Sequence, residues 1–540
     1  MKRIYTILAC LLLLAATLPV AATNVTGAEA EFKKISKTYT LNPDGSQALR
    51  VQKELTIYTH TAMNRTYGET FIQYDPRWQQ VKINSSYTKQ KDGTLIKTPA
   101  NAFVEVLPAA AADAPAYNAL KELVVVHTGL DLGSTIYLDY TITSKAGYLP
   151  ALDILCPVKE LSPVDLFTLK VEVPEETPLH HAAWNLQAQP VNGTKNGVKT
   201  LTWTLKNIAP RPYAYPYERN AFGLVQQIGS GMMPAISVNT YPSRKEALKH
   251  LRAQFAEGDA AVIKAKADEI TTQAHGNATG AQQLIDKYIG RLAAHTCGVS
   301  LTESGYRIRP ASEVIRTNYG TAAELSNLSY CLQKAAGLNA ELLVSSLQTK
   351  GADKDGVALS GIIATANPFA SVGKTRSRME ALQDYLSVTN LEGGPYLFKK
   401  ENKEVVAQDT IHVDNHDTKL QKADNYRIIS LKDADAVAAL YPYVGNTTIK
   451  ENILLPGLIN RKEVTTVLIP AGRQWLETKG KNIHNAAGDL SFTYALQGNT
   501  LTVTRKLIIR RQLYTPTDYA ELYALLSEWK DMNNRTVVLK

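Results

Sequence analysis

From Ile35 to Ile208 the apolar residues recur with a period of two. Ile35, Lys37, Tyr39 and Leu41 share one face of a run that ends in the turn Asn42-Pro43-Asp44-Gly45, and Leu49, Val51, Leu55 and Ile57 mark the returning strand. Ile136, Leu138, Tyr140 and Ile142 alternate with Tyr137, Asp139 and Thr141. Phe167, Leu169, Val171 and Val173 repeat the pattern, as do Leu201, Trp203 and Leu205 after Asn196-Gly197. Short alternating runs separated by turn chemistry predict an antiparallel β-sandwich. The Ala-rich stretch 109–114, flanked by Pro108 and Pro115, reads as a surface loop. Residues 210–217, rich in Pro and Tyr, read as a linker whose rings pack on their own domain.

The period then changes. Ser243 is placed to cap a helix starting at Arg244, with helical patterning through about Ala274. Thr279 and Gln282 have capping-box spacing ahead of a second helix with Leu284, Ile285, Tyr288, Ile289 and Leu292 on one face. A third carries Leu325, Leu328, Leu332 and Ala335 and stops at Gly337, and 340–344 reads as a buried strand. Strands return from about Ala434, at 464–469, 490–496 and 501–509, followed by a short helix at 516–529 and a closing strand at 536–539. The pattern divides the chain into 1–22, a β-sandwich at 23–220, an α+β core at 221–433 and a small β domain at 434–540.

Lys2 and Arg3 precede an apolar run from Ile7 to Leu18, and Val20, Ala21 and Ala22 are small enough for signal peptidase. That order predicts a secretory signal cut after Ala22, and an exported protein, periplasmic or extracellular. Cys10 lies inside the apolar run and not at its end, which argues against a lipoprotein. Past Thr23 no apolar stretch is long enough to span a bilayer. The formal charge of +9 becomes +7 once Lys2 and Arg3 are subtracted, and no Lys/Arg block is dense enough for nucleic acid. Beyond the leader, Cys156, Cys297 and Cys331 remain. Three thiols do not build a disulfide scaffold, although one pair could oxidise outside a cell.

Asn318-Tyr319-Gly320-Thr321-Ala322-Ala323-Glu324, the helix that follows, Gly337 and the strand at Leu342 resemble the core of the transglutaminase-like superfamily. In secreted bacterial members that stretch usually reads Tyr-Gly-Asp-Cys-Lys-Asp. The N-terminal β region resembles the domain of unknown function that precedes such cores in Gram-negative exported proteins. The end, from Tyr441-Pro442-Tyr443 to Val537-Val538-Leu539-Lys540, resembles the β domain that follows them. The resemblance implies a papain-like α+β core between two β domains. It also implies a cysteine nucleophile at a helix N-terminus, where the dipole favours thiolate, served by a histidine and an orienting carboxylate.

This chain departs from that pattern at all three positions: the nucleophile aligns with Ala322, the histidine approximately with Lys374, and the aspartate with Ser387. No histidine occurs between His295 and His412. Cys331 lies nine residues beyond Ala322, on the opposite helix face. Ser326 lies one turn below Ala322 without a visible base. Cys297 with His295 is the remaining route to an active thiol. Tyr319, Thr321, Glu324 and Asp384 are the groups expected to line the cleft.

No cofactor or metal is expected. His412 and His416 have the i, i+4 spacing of helical zinc ligands, but Thr410-Ile411-His412-Val413 alternates like a strand, which would hold the rings about 13 Å apart. Gly373-Lys374-Thr375 lacks the upstream glycine of a phosphate loop, where Pro368 stands. Three readings follow. The first is a degenerate transglutaminase-like protein that binds a peptide, protein or envelope polymer. The second is an active cysteine protease or amidase using a displaced Cys/His pair. The third is a structural or adhesive envelope protein.

Overall fold

A computed structural model of the chain describes residues 27–184, 186–210, 217–219, 225–227, 234–293, 297–299, 301, 303–347, 354–356, 359, 386–391, 394–395, 404–413, 421–449, 453–455 and 458–540. The expected export segment, most of the Pro/Tyr stretch, His295, Lys374, Asp384 and His416 lie outside the described residues.

The alternating N-terminal runs form strands, and their apolar faces meet. An eight-stranded sheet has the order Val191–Lys195, Val198–Ile208, Val164–Pro174, Ala30–Leu41, Gln47–Ile57, Thr135–Ser144, Gln79–Lys89 and Leu95–Lys97. The expected turn after Leu41 is present: Gly45 donates its amide to the Asn42 carbonyl at 2.9 Å with φ +82°, a backbone setting that suits glycine. One pairing differs from a purely antiparallel sheet. Ala30–Leu41 runs parallel to Val164–Pro174, with Ile35 opposite Phe167 and Tyr39 opposite Val171. A parallel pair needs a long crossover, and the chain between these strands supplies it.

Two three-stranded sheets cover the inner face of the large sheet. One contains Glu69–Tyr74, Lys121–Val126 and Phe103–Val106. The other contains His180–Trp184, Ala235–Asn239 and Asp153–Pro157. Phe32, Ile35, Phe167, Leu169 and Trp203 pack against Ile154, Cys156, Ile236 and Val238, while Leu138 packs against Ile72 and Val125. The outer face is polar: Arg50 pairs with Asp139 at 2.6 Å, and Tyr87 stacks on Tyr137 at 4.7 Å. The strand Ala235–Asn239 lies past the expected boundary at residue 220, yet its hydrogen bonds go to the N-terminal sheets.

Five helices form the middle: α1 (Arg244–Arg252), α2 (Ala260–Gln273), α3 (Ala278–Ala293), α4 (Ala311–Thr317) and α5 (Ala322–Ala335). Ser243 caps α1 through the Glu246 amide, as its position suggested. The single helix expected through Ala274 is two, because the chain turns at Gly258 and Asp259 caps α2 through the Ala261 amide. The cap of α3 is Asn277, which accepts from the Gly280 amide at 2.8 Å. The expected box at Thr279 is displaced because the helix already starts at Ala278. Ile263, Ile270, Ile285, Ile289, Leu325, Leu328 and Leu332 share the central core. Beyond it, Leu343–Leu347 pairs with Leu386–Asn390.

The last β unit is a five-stranded sheet ordered Val405–His412, Ile459–Leu468, Thr500–Ile509, Gly488–Gln497 and Lys481–Asn485. The helix Tyr519–Lys530 packs Leu522, Leu525, Leu526 and Trp529 on it. Arg505, 2% exposed, bonds Glu463 at 3.2 Å and lies 4.0 Å over the Trp529 ring. The closing strand Thr536–Leu539 pairs with Tyr426–Ser430. This unit therefore draws on residues from Val405 onward, upstream of the boundary expected at 434. Among the described residues no helix is long and apolar enough to cross a membrane.

Inside the N-terminal domain, His127 is buried and its Nε2 lies 2.9 Å from the Thr70 hydroxyl. Burial, with the nearby Lys53 charge, lowers its pKa from 6.5 to about 4. Between those two values the unfolded chain binds a proton that the folded chain refuses, so stability falls as pH drops from about 6.5 to about 4. The loss reaches up to about 3 kcal/mol. Denaturation midpoints measured across that window should show this slope in the wild type and a flatter one in His127→Gln.

Candidate functional site

The stretch from Tyr319 to Glu324 begins helix α5, and its local chemistry explains why the helix starts there. Thr321 is the N-cap: its hydroxyl accepts from the Glu324 amide at 3.3 Å, and the Glu324 carboxylate accepts from the Thr321 amide at 2.9 Å. This reciprocal box satisfies two amides that the helix start would otherwise leave unbonded. Ala322 is the first residue of the helix and is half-buried. Its carbonyl accepts from the Ser326 hydroxyl at 2.9 Å, so Ser326 is turned back onto its own helix.

Glu324 is fully buried. Its Oε1 accepts from the Arg309 amide at 2.9 Å, from Arg309 Nε at 3.0 Å and from the Tyr117 hydroxyl at 2.5 Å. Its Oε2 accepts from Arg309 Nη2 at 2.9 Å as well as from Thr321. Arg309 Nη2 also donates to the Tyr319 carbonyl at 2.8 Å, and its guanidinium lies 4.4 Å from the Tyr319 ring centroid. A buried carboxylate is tolerable only when it is paired and hydrogen-bonded this thoroughly.

One of these partners comes from another domain. Tyr117 follows the Ala-rich stretch 109–114, which was expected to be a surface loop, and the structure corrects that expectation. Ala111 and Ala114 are fully or almost fully buried, and together with Tyr117 and Leu120 they pack on Cys297, Val299 and Tyr319. Small side chains let the backbone approach closely. The Ala110 carbonyl accepts from the Gly298 amide at 3.0 Å and from the Cys297 thiol at 3.3 Å. The Tyr319 hydroxyl accepts from the Ala116 amide at 2.8 Å. Residues 108–120 thus form a cover over the start of α5.

The residues singled out from sequence fall as follows. Tyr319, Thr321 and Glu324 come together at the start of α5; all three are buried and engaged in the bonds above. Cys297 joins them, its amide bonded to the Gly320 carbonyl at 3.1 Å, two residues before Ala322. Ser387 lies on the strand Leu386–Asn390, opposite Ser346. Lys374, Asp384 and His295 are outside the described residues. His412 ends a strand and is exposed, while Cys331 packs in the central core. Arg309 and Tyr117 carried no sequence signal, because neither lies on a periodic face. The burial of Glu324, which demands a nearby cation, is visible only in the structure.

All three thiols are free and buried. Burial raises the pKa of Cys156 and of Cys297, and pushes that of Cys331 up to about 12. Nearby Glu324 charge adds to the rise at Cys297. A nucleophilic cysteine needs the opposite environment.

Replacing Arg309 with Met should leave a buried charge without its main partner and cost about 3–5 kcal/mol in chemical denaturation. Tyr117→Phe should cost about 1.5–3 kcal/mol, the value of a hydrogen bond to a charged group.

Two families match the chain, both described as domains of unknown function with solved structures: DUF3857 at residues 43–212 and DUF3858 at residues 426–539. The stretch around α5 lies between the two matches. No curated protein matches the chain. Among solved structures, a protein of Parabacteroides distasonis described as a candidate protease is 35% identical, with a TM-score of 0.77. That match covers 95% of this chain and 99% of the other. An M1 zinc metallopeptidase from Deinococcus radiodurans is 14% identical, with a TM-score of 0.21, over 39% of this chain and 42% of the other. That likeness is too slight to carry meaning. At 35% identity over almost its whole length, this chain belongs to the family of the Parabacteroides protein, with a DUF3857 domain near its N-terminus and a DUF3858 domain at its end.

Proposed function

We propose that this chain is an exported, transglutaminase-like protein that has given up catalysis and serves as a binding or scaffolding module for a peptide, protein or envelope polymer. The observation that carries the reading is the start of α5. Where the superfamily's mechanism needs a thiolate, Ala322 offers a methyl group, and residues 108–120 pack across that end of the helix. The helix start is organised instead around the Thr321–Glu324 box, with Glu324 paired to Arg309. Cys297, whose amide bonds the Gly320 carbonyl, has its sulfur 3.3 Å from the Ala110 carbonyl, a partner that suits a thiol and not a thiolate. Export rests on the N-terminal order of charge, apolar run and small residues.

The family membership favours one competing reading. The Parabacteroides relative is described as a candidate protease, and this keeps a cysteine hydrolase built on Cys297 as the alternative. For that enzyme a histidine would have to take the Cys297 proton, in place of the Ala110 carbonyl that now accepts it.

A thiol-reactive probe at neutral pH separates the two. Non-catalytic protein should label slowly at Cys156, Cys297 and Cys331 until denatured, and should show no hydrolysis of peptides or crosslinking of amines. Ala322→Cys should add a thiol that labels faster than those three, because it is half-buried at a helix start, and should still cleave nothing. One rapidly labelled native cysteine, with peptide hydrolysis abolished by Cys297→Ala, would establish the hydrolase instead.

A further inference from the structure

Residues 108–120 leave the N-terminal domain as the loop of a β-hairpin and return to it. Phe103–Val106 pairs antiparallel with Lys121–Val126, and Val106 opposite Glu122 is the pair nearest the loop. Hairpin loops usually run about 2–5 residues, and much longer ones in compact domains are commonly lids or binding elements. This loop carries its own backbone order. The amides of Ala111, Ala114, Tyr117 and Leu120 donate to the carbonyls of Pro108, Ala111, Ala114 and Tyr117, at 2.9, 3.1, 2.8 and 3.0 Å. The same spacing governs burial: Pro108, Ala111, Ala114, Tyr117 and Leu120 are buried, while Ala112, Asp113, Pro115, Ala116 and Asn118 are exposed. The loop is a ribbon of consecutive turns with one ridge at every third residue.

That ridge packs outside its own domain. Ala111, Ala114, Tyr117 and Leu120 form one cluster with Cys297, Val299 and Tyr319 of the middle, and among the described residues no sheet residue belongs to it. The groove meets the ribbon as a peptide site meets a peptide. Two contacts are to main chain and so are indifferent to side-chain identity. The Gly298 amide donates to the Ala110 carbonyl at 3.0 Å, and the Ala116 amide donates to the Tyr319 hydroxyl at 2.8 Å. The approach is close: a Cβ on Gly298 would lie 3.3 Å from the Ala110 Cβ. Three further contacts depend on side chains. Ala111 and Ala114, 0% and 2% exposed, each seat a methyl group. Tyr117 bonds Glu324 through its hydroxyl at 2.5 Å, with its ring centroid 5.8 Å from the Arg309 guanidinium.

A self-ordered ribbon that is held through main-chain contacts and a spaced set of side chains, with its ridge on another domain, has the attributes of a tethered ligand. We infer that residues 108–120 occupy in cis a groove at the start of α5 that also takes peptides in trans, and that the ligand class is an alanine-rich segment with the order Ala-x-x-Ala-x-x-Tyr. The inference rests on the proposed peptide-binding role of this site, to which it gives a ligand and a regulator. Binding in trans requires the ribbon to leave. A covalently attached competitor acts at an effective concentration on the order of millimolar, so the tether sets the affinity for any free peptide.

The test is fluorescence polarisation with a labelled peptide of the sequence 107–121. It is added to the full chain and to a variant in which Asn-Gly replaces residues 108–120 and closes the hairpin. The variant should fold and bind the peptide with Kd below about 100 µM. The intact chain should bind it at least about tenfold more weakly, yet measurably. A Tyr117→Phe peptide should lose about tenfold or more, an Ala114→Leu peptide should bind poorly, and a scrambled peptide should not bind. A Gly/Ser peptide carrying only the Ala-x-x-Ala-x-x-Tyr order should compete. Ala114→Glu in the otherwise intact chain opens the groove by a second route, because a charged side chain cannot enter the seat of a methyl group. It should raise the affinity toward that of the hairpin variant. The inference is overturned if the open groove ignores the peptide, binds the scrambled one equally or is indifferent to the Gly/Ser competitor. It is also overturned if the intact chain binds as tightly as the variants or not at all, or if both variants fail to fold, which would make the ribbon structural. Association of the hairpin variant with an intact second copy, without binding of free peptide, would overturn it in favour of exchange between copies. Hydrolysis of the bound peptide would leave this assignment standing and refute the non-catalytic reading instead.

Discussion

The carboxylate of Glu324 is the constraint on which the centre of this molecule depends. It caps its own helix, neutralises Arg309 and accepts the hydroxyl of Tyr117 from the N-terminal domain. A charge taken wholly out of water requires every one of these donors, so three segments distant in sequence are fixed by one functional group. Arg309 holds the Tyr319 carbonyl, Tyr319 receives the Ala116 amide, and Ala110 meets Cys297. The contact between the domains is therefore polar at its centre and close-packed alanine around it. A second tie joins the N-terminal sheets to the helical middle. There the Asn239 amide group donates to the Asp355 carbonyl at 2.7 Å, and Asp355 accepts from the Arg244 amide at 2.7 Å.

What the sequence disclosed and what it withheld divide along a physical line. Period-two alternation from Ile35 to Leu205 disclosed the strands, since one apolar face must be buried wherever a sheet packs. The stop at Gly337 disclosed the end of α5, because caps are local; the Thr321–Glu324 box at its start is just as local, but from sequence those residues read as cleft-lining groups. Partner choice is not local. Nothing in 30–41 says that its second neighbour is 164–174, or that 235–239 and 405–412 are drawn into sheets across the expected boundaries. The candidate site was legible as a stretch of residues and not as an arrangement. Tyr319, Thr321 and Glu324 were singled out, but their burial follows from Arg309 and from an alanine-rich cover whose composition resembles that of an exposed loop. Small residues are ambiguous in this way, since the trait that suits them to loops also suits them to tight contacts.

The large sheet treats its two faces unequally, and this governs where chemistry can reside. Its outer face carries compensated pairs such as Arg50 with Asp139, which need water little and cost little. Between that sheet and the strands that cover it lie titratable groups in low dielectric: His127 with its pKa lowered by burial, Tyr39 with its phenol pKa driven up, and Cys156 with its thiol likewise driven up.

The parallel pairing of Ala30–Leu41 with Val164–Pro174 has a consequence for the order of assembly. The strand Ala30–Leu41 precedes both of its neighbours in the chain and lies near the middle of its sheet. Its hairpin partner follows at once, but its other edge stays open until well over a hundred further residues have arrived. During that interval an unpaired β edge bearing Phe32 and Ile35 is available to other chains. Nascent chains of this protein therefore have a defined window of self-association, which closes only when the strand at 164–174 docks.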